Sequence, residues 1–249
     1  MAQGRLIPHH GEAIVLRTWP FGEADLLLSL FTREQGVVKG VARHALRSRR
    51  RFGGALEPGT HVMAHYTERP REELVRLDSL EIQWSPLSAP VDYLRTAAIQ
   101  LVTEVLEQTL PELAPEDNLF RLALAVLHAT EHHFPWLPVT YFCLWMNRLM
   151  GWLPELGHCA VCGLDLRGGE VWWSPAADGV TCGDDHRPTS RVLSATSVQE
   201  SYRIARTPLP QMLEEGEWER TQAADLRQFA IGVLERHLER RIRSASVLG

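Results

Sequence analysis

"AIVLRTWPFGEADLLLSLFTREQGVVKGVA", residues 13–42, decides the fold. Three runs, AIVLRTW, LLLSLFT and GVVKGVA, are rich in β-branched and apolar residues and are separated by PFGEAD and REQG. Runs of this kind between breaks containing Gly, Pro and Asp are short strands joined by turns. Two more follow, HVMAHYT (61–67) and VRLDSLEIQ (75–83), set off by LEPGT and ERPREE. Alternation within them is imperfect, as it is when strands curl into a small barrel with a filled interior. Five strands between residues 13 and 83 fit an OB-like barrel or a small sandwich, and the barrel is the expectation.

The pattern changes near Ser85, where WSPLSAPVD carries two prolines and reads as a domain junction. Beyond it the period becomes helical. DYLRTAAIQLVTEVLEQTL (92–110) repeats apolar residues at three- and four-residue spacing, and PEDNLFRLALAVLHATEHHF (115–134) begins with Pro and acids, as helix starts do. VTYFCLWMNRLMGW (139–152) is apolar nearly all round and predicts a buried helix. SATSVQESYRIAR and TQAADLRQFAIGVLERHLERRIRS are further helical stretches, the last ending in cations suited to a helix C-terminus. The fold class is therefore α+β and multidomain: a barrel over 1–84, and a mostly helical domain over 85–249 with a cysteine segment, 157–190, inserted in it.

The chain is 45 % apolar and 23 % charged, ordinary for a globular protein with a sizeable core. No apolar run approaches the length of a membrane span, and MAQGRLIPHHGEA lacks the basic and apolar regions of a secretory signal. Four cysteines do not make a disulfide scaffold, so a reducing, cytoplasmic setting is expected.

Within GHCAVCGLDLRGGEVWWSPAADGVTCGDDH (157–186), Cys159 and Cys162 form a C-x2-C knuckle and Cys182 returns after a wide gap. Two thiolates of one tight turn face a single ion, and a hairpin brings back the rest of a zinc-ribbon set. The second knuckle lacks its cysteine: Asp185 holds that spacing and His186 follows. Both donor types ligate zinc, so either residue is the expected fourth ligand, with His158 a weaker candidate. Four protein ligands leave no open position for water, which makes such a zinc structural. The alternative is three unligated thiols, with or without one disulfide. Cys143 lies in the apolar helix and reads as core. If VWW is a strand, one of Trp172 and Trp173 faces inward and the other outward.

The net charge of −5 argues against a general polyanion coat, yet no acid stands between Glu34 and Glu57. That interval carries Lys39, Arg43, Arg47, Arg49, Arg50 and Arg51. Guanidiniums bind phosphate through bidentate, charge-assisted bonds, and a loop of them on a small barrel predicts a salt-sensitive nucleic-acid site. A solvated loop is the competing reading. Phe52 is expected as a barrel plug in preference to a base-stacking ring. Arg236, Arg240, Arg241 and Arg243 are interleaved with Glu235 and Glu239 and read as a solvated helix face. Phosphate-loop, dinucleotide and nucleophile-elbow motifs are absent, so no enzymatic chemistry is expected.

Taken together, EAIVLR (12–17), FGEAD (21–25), LFTREQG (30–36) and RRFGGALEP (50–58) resemble the N-terminal segment of the bacterial recombination-mediator family RecO. The apolar helices, the C-x2-C…C segment and the RRIRSASVL ending (240–248) resemble it too. The resemblance implies an N-terminal OB fold, a central helical domain and one zinc ion, although Asp185 stands where the family's fourth cysteine would. It further implies binding to single- and double-stranded DNA, annealing of complementary strands, and work on the nucleoid with RecR and single-strand binding protein to load RecA recombinase. A zinc-stapled protein–protein adaptor that binds no DNA is the alternative; it leaves the acid-free basic loop unexplained.

Overall fold

The computed structural model describes residues 6–48, 50–69 and 72–248. The chain forms two compact units, 1–131 and 132–249.

In the first unit, five strands close on themselves in the order β1-β2-β3-β5-β4, with β4 returning to β1. They are β1 (Ile7–Phe21), β2 (Asp25–Thr32), β3 (Gly36–Ala42), β4 (His61–Glu68) and β5 (Val75–Trp84). β1 makes closure possible. Its first half, Ile7 to Ile14, pairs with β4, and Ala13 onward pairs with β2. The register breaks between Val15 and Arg17, a bulge that bends the strand so that each half serves a different neighbour. The other closing seam is the short parallel pairing of β3 with β5, Gly40 to Val75 through Ala42 to Leu77. Gly40 has no side chain because a Cβ there would lie 2.7 Å from Val75 Cγ2 and 2.8 Å from Leu77 Cγ.

Leu28, Leu30, Val38, Val62, Ala64 and Leu77 fill the barrel, and Phe52 joins them from the loop between β3 and β4. Phe52 is 1 % exposed, so it is the plug that the sequence predicts.

Among the described residues, two α-helices belong to this unit: α1 (Tyr93–Thr109), capped by the Asp92 carboxylate on the Arg95 amide at 2.8 Å, and α2 (Asp117–Ala129). Both helices lie beyond Ser85 and within the first compact unit, 1–131. Specific contacts hold these helices to the barrel. Ser29 donates to Glu107 at 2.5 Å, Arg33 reaches Asp117 at 2.6 Å, and Phe31 meets Phe120 edge-on at 5.4 Å. Burial raises the Glu107 carboxyl above its ordinary range, against the Ser29 hydrogen bond and the nearby Lys39, which lower it. The β2–β3 turn also docks here: Gly36 has φ +73°, and a Cβ on it would lie 2.2 Å from Ala114 O.

The second unit holds α3 (Trp136–Leu149), α4 (Ala195–Ile204), α5 (Leu209–Glu215) and α6 (Ala224–His237), with a three-stranded sheet in the order β7-β6-β8. Its strands are β6 (Val171–Trp173), β7 (Val180–Thr181) and β8 (Arg191–Leu193). α3 is buried along nearly its whole length, as its sequence predicts. Asn147 Nδ2 joins it to α6, donating to Cys143 O and to Ala230 O at 2.8 Å each. Cys143 is a core residue, its thiol pushed up to about 12 by burial. Arg227 is also buried; its Nε donates to Leu248 O at 2.6 Å and fastens the last turn of the chain.

The final helix is shorter than expected. α6 stops at His237, Glu239 takes φ +53°, and the Glu235 carboxylate accepts from the Ile242 amide at 2.9 Å. Arg240, Arg241 and Arg243 therefore lie beyond the helix, and only Arg236 and His237 meet its C-terminal dipole.

Gly36→Ala combines a left-handed backbone with a clash against main chain. It is expected to destabilise the protein by at least about 2 kcal/mol, read as a lower urea midpoint at unchanged slope.

Candidate functional site

The cysteine segment folds so that four side chains converge. In the knuckle, the Gly163 amide donates to Cys159 O at 2.9 Å and the Cys159 amide to Leu164 O at 2.8 Å. The Ala160 amide donates to Val180 O at 2.8 Å, which holds the knuckle against β7. β7 then delivers Cys182, and the turn after it delivers Asp185. Donor atoms of Cys159, Cys162, Cys182 and Asp185 all lie within 4.8 Å of one another.

The separations suit a tetrahedral ion. Cys162 Sγ and Cys182 Sγ are 3.8 Å apart, far beyond a disulfide bond, and the cysteines are free thiols. Asp185 Oδ2 is 3.3 Å from Cys159 Sγ and 3.1 Å from Cys182 Sγ. Zinc–sulfur and zinc–oxygen bond lengths at tetrahedral angles require about 3.8 Å between two sulfurs and about 3.5 Å between sulfur and oxygen. Small adjustments complete that geometry.

The cluster's protons are crowded. Burial pushes the Cys159 thiol up, but the amides of Cys162, Cys182 and Val161 outweigh it and the net shift is downward. Hydrogen bonding to Asp185 pushes Cys162 up to about 12, and the same thiol contacts hold Asp185 below the usual carboxylate range. Three thiols and a carboxylate gathered in this way are donors that could hold a metal ion once deprotonated.

Of the two candidates for the fourth donor, Asp185 is the one in the cluster. His186 is turned away: its ring stacks on Trp172 at 4.0 Å and its Nδ1 lies 2.5 Å from Gly183 O. At the second-knuckle spacing a side chain points back at the two cysteine turns, whereas the next residue points out. His158 is engaged with Glu155 at 2.7 Å. Trp173 is buried and meets Phe229 edge-on at 5.3 Å, while Trp172 is half-buried, so the pair divides inward and outward.

The basic residues have unequal surroundings. Arg43, Arg47 and Arg50 are exposed and have no side-chain partner among the described residues. Arg51 is half-buried and works internally: Nη2 donates to Arg43 O at 2.7 Å, Nε to Ser48 Oγ at 3.0 Å, and the guanidinium lies 5.1 Å from the Phe52 ring centre. The Leu80 amide donates to Arg51 O at 2.9 Å, which pins the loop to β5. Lys39 is ion-paired to Glu112 at 2.6 Å, and that hydrogen bond raises its pKa further. Arg49 lies outside the described residues. The sequence treats these cations alike because the partners of Lys39 and Arg51 are a distant carboxylate, a main-chain carbonyl and an uncharged hydroxyl, none of which marks the loop as paired. In the second unit Arg236 pairs with Asp178 and donates to Ala177 O at 2.6 Å, a structural contact.

Among the described residues no helix is long and apolar enough to cross a membrane. Comparison with known proteins agrees with the fold. Residues 6–85 match the family model "Recombination protein O N terminal" and residues 90–246 match "Recombination protein O C terminal". A DNA repair protein RecO of Koribacter versatilis is 48 % identical over 95 % of this chain and 96 % of its own length. One from Syntrophobacter fumaroxidans is 34 % identical over 73 % of this chain and 72 % of its own, and one from Bifidobacterium longum is 30 % identical over 96 % and 98 %. With both halves matched and a relative nearly half identical along almost its whole length, the chain belongs to the RecO family of DNA repair proteins.

Proposed function

We propose that this chain is a recombination mediator without covalent chemistry of its own. It binds single- and double-stranded DNA, anneals complementary strands and, with RecR, loads RecA recombinase onto DNA coated by single-strand binding protein. It works in the bacterial cytoplasm, at the nucleoid. The observation that carries the reading is the set of exposed guanidiniums of Arg43, Arg47 and Arg50, without a side-chain partner among the described residues, on the loop of an OB-like barrel. Arginines in that state are held ready for phosphate, and neutralising two strands at once lowers their mutual repulsion. Arg49 extends the same loop in sequence. Lys39 and Arg51, read from sequence alone as equal phosphate ligands, are secondary here, since each already has partners.

A structural zinc ion completes the proposal, held by Cys159, Cys162, Cys182 and Asp185. Bound there, it would staple the knuckle to the β6–β7 hairpin. Three thiolates and a carboxylate are a donor set that zinc takes, with no position left for a reacting water.

Each element has its own test. Replacing Arg43, Arg47 and Arg50 together by Ala should weaken binding to a fluorescent single-stranded oligonucleotide. Their share of the salt dependence is roughly 20-fold in affinity for a fourfold change in salt. Annealing of an added complementary strand should slow in parallel. Unchanged affinity and salt slope would remove the loop from the interface and favour the adaptor reading. For the metal, elemental analysis of the purified chain should give one zinc. Asp185→Ala or Cys182→Ser should lose it and lower the melting temperature, whereas His186→Ala should keep it.

A further inference from the structure

The outer face of β1, β2 and β3 carries a feature that charge alone does not explain. Trp19 lies opposite Leu27, and Leu27 opposite Val41. One row nearer the hairpin tip, Phe21 lies opposite Asp25. Leu26, Leu28, Leu30, Val38 and Ala42 fill the core. Strand alternation therefore turns Trp19, Phe21, Leu27 and Val41 outward. Trp19, Leu27 and Val41 are half-buried and Phe21 is 46 % exposed.

On one side the strip ends where Glu107 and Glu112 take up Ser29 and Lys39. On the other it runs into the basic loop. The Leu46 amide donates to Ala24 O at 3.2 Å and the His44 amide to the Asp25 carboxylate at 2.7 Å. The loop's short turn is thus seated on the β1–β2 hairpin. That turn carries Leu46, 63 % exposed, between Arg43 and Arg47. Arg17 lies with its guanidinium 4.9 Å from the Trp19 ring centre. One acid, Glu23, sits exposed at the hairpin tip, and Asp25 is occupied by the His44 amide.

Flat rings beside exposed guanidiniums suit a ligand that alternates anionic groups with aromatic faces. We propose that Trp19 and Phe21 form a base-stacking platform for single-stranded nucleic acid, with its phosphates on Arg43 and Arg47. This rests on the DNA-binding reading above and refines it. The arginines serve single strands and duplexes alike, because both present phosphates. The aromatic strip serves single strands alone, because the bases of a duplex are already stacked on one another. The strip is then what separates the two affinities.

The test uses the full chain with a fluorescent single strand and a fluorescent duplex of equal length, each titrated over a range of salt. Phe21→Ala and Trp19→Ala should each weaken single-strand binding roughly 5- to 150-fold, the loss expected on removing one base-stacking ring. Duplex affinity and both salt slopes should stay as in the parent, and Phe21→Trp should retain single-strand binding. Phe21 is half exposed, so its variant keeps the test valid even if Trp19→Ala unfolds; melting curves check this. If the parent binds steeply in salt and Phe21→Ala binds the single strand equally well, the platform is wrong and the mediator reading stands. Equal losses on single strand and duplex, or a shallower slope, would also overturn it, placing the rings in the loop's support. If the parent binds neither DNA, the mediator reading itself falls.

Discussion

The register break at Leu16 is the constraint on which the first unit depends. A straight β1 would carry β2 on one edge and β4 on the other in an open sheet. Bent there, one strand meets β4 with its first half and β2 with its second, and five strands become a closed wall. Closure removes the sheet edges and creates an interior that must be filled. Phe52, arriving from outside the sheet, helps to fill it. The loop that carries the arginines is thereby part of the core's packing and is not an appendage to it.

The second unit solves a different problem. Its sheet strands are two or three residues long, too short to hold a hairpin by pairing alone. Two anchors compensate. Trp173 is driven into α6, where Gly232 leaves room for it: a Cβ at that position would lie 2.7 Å from the indole. At the other end, the four converging donors bind the knuckle to the hairpin. The segment thus has an apolar lock and a cluster of donors that could hold a metal ion.

Much of this was legible in the sequence, for identifiable reasons. β2, β3 and β4 fall within a residue of their apolar runs because Gly and Pro turns punctuate them. The first half of β1 was not legible. IPHHGE has Pro and paired histidines, and it becomes strand only because β4 pairs with it, His9 stacking on Tyr66 at 5.1 Å. α5 was hidden by its prolines, and α6 was overextended because RRIRS continues a helical composition without α-helical backbone. The converging cluster was legible to within one residue: spacing favoured Asp185, donor chemistry favoured His186, and the turn geometry follows the spacing. What no local pattern could reveal was the division of the cations. Only the folded chain brings Glu112 to Lys39, or sets Arg51 across the main chain of Arg43.

The fastening of Phe52 inside the barrel has a consequence for how this loop can change over time. Between Leu46, whose amide is held by the hairpin, and Phe52, seated in the core, the chain has a set distance to cover. Exchanging one exposed residue for another within that span leaves both anchorages in place. Adding or removing a residue shifts one of them, and the loss is then felt in the barrel's packing as well as at the surface. Drift in which positions hold charge is open to this loop, whereas drift in its length is closed.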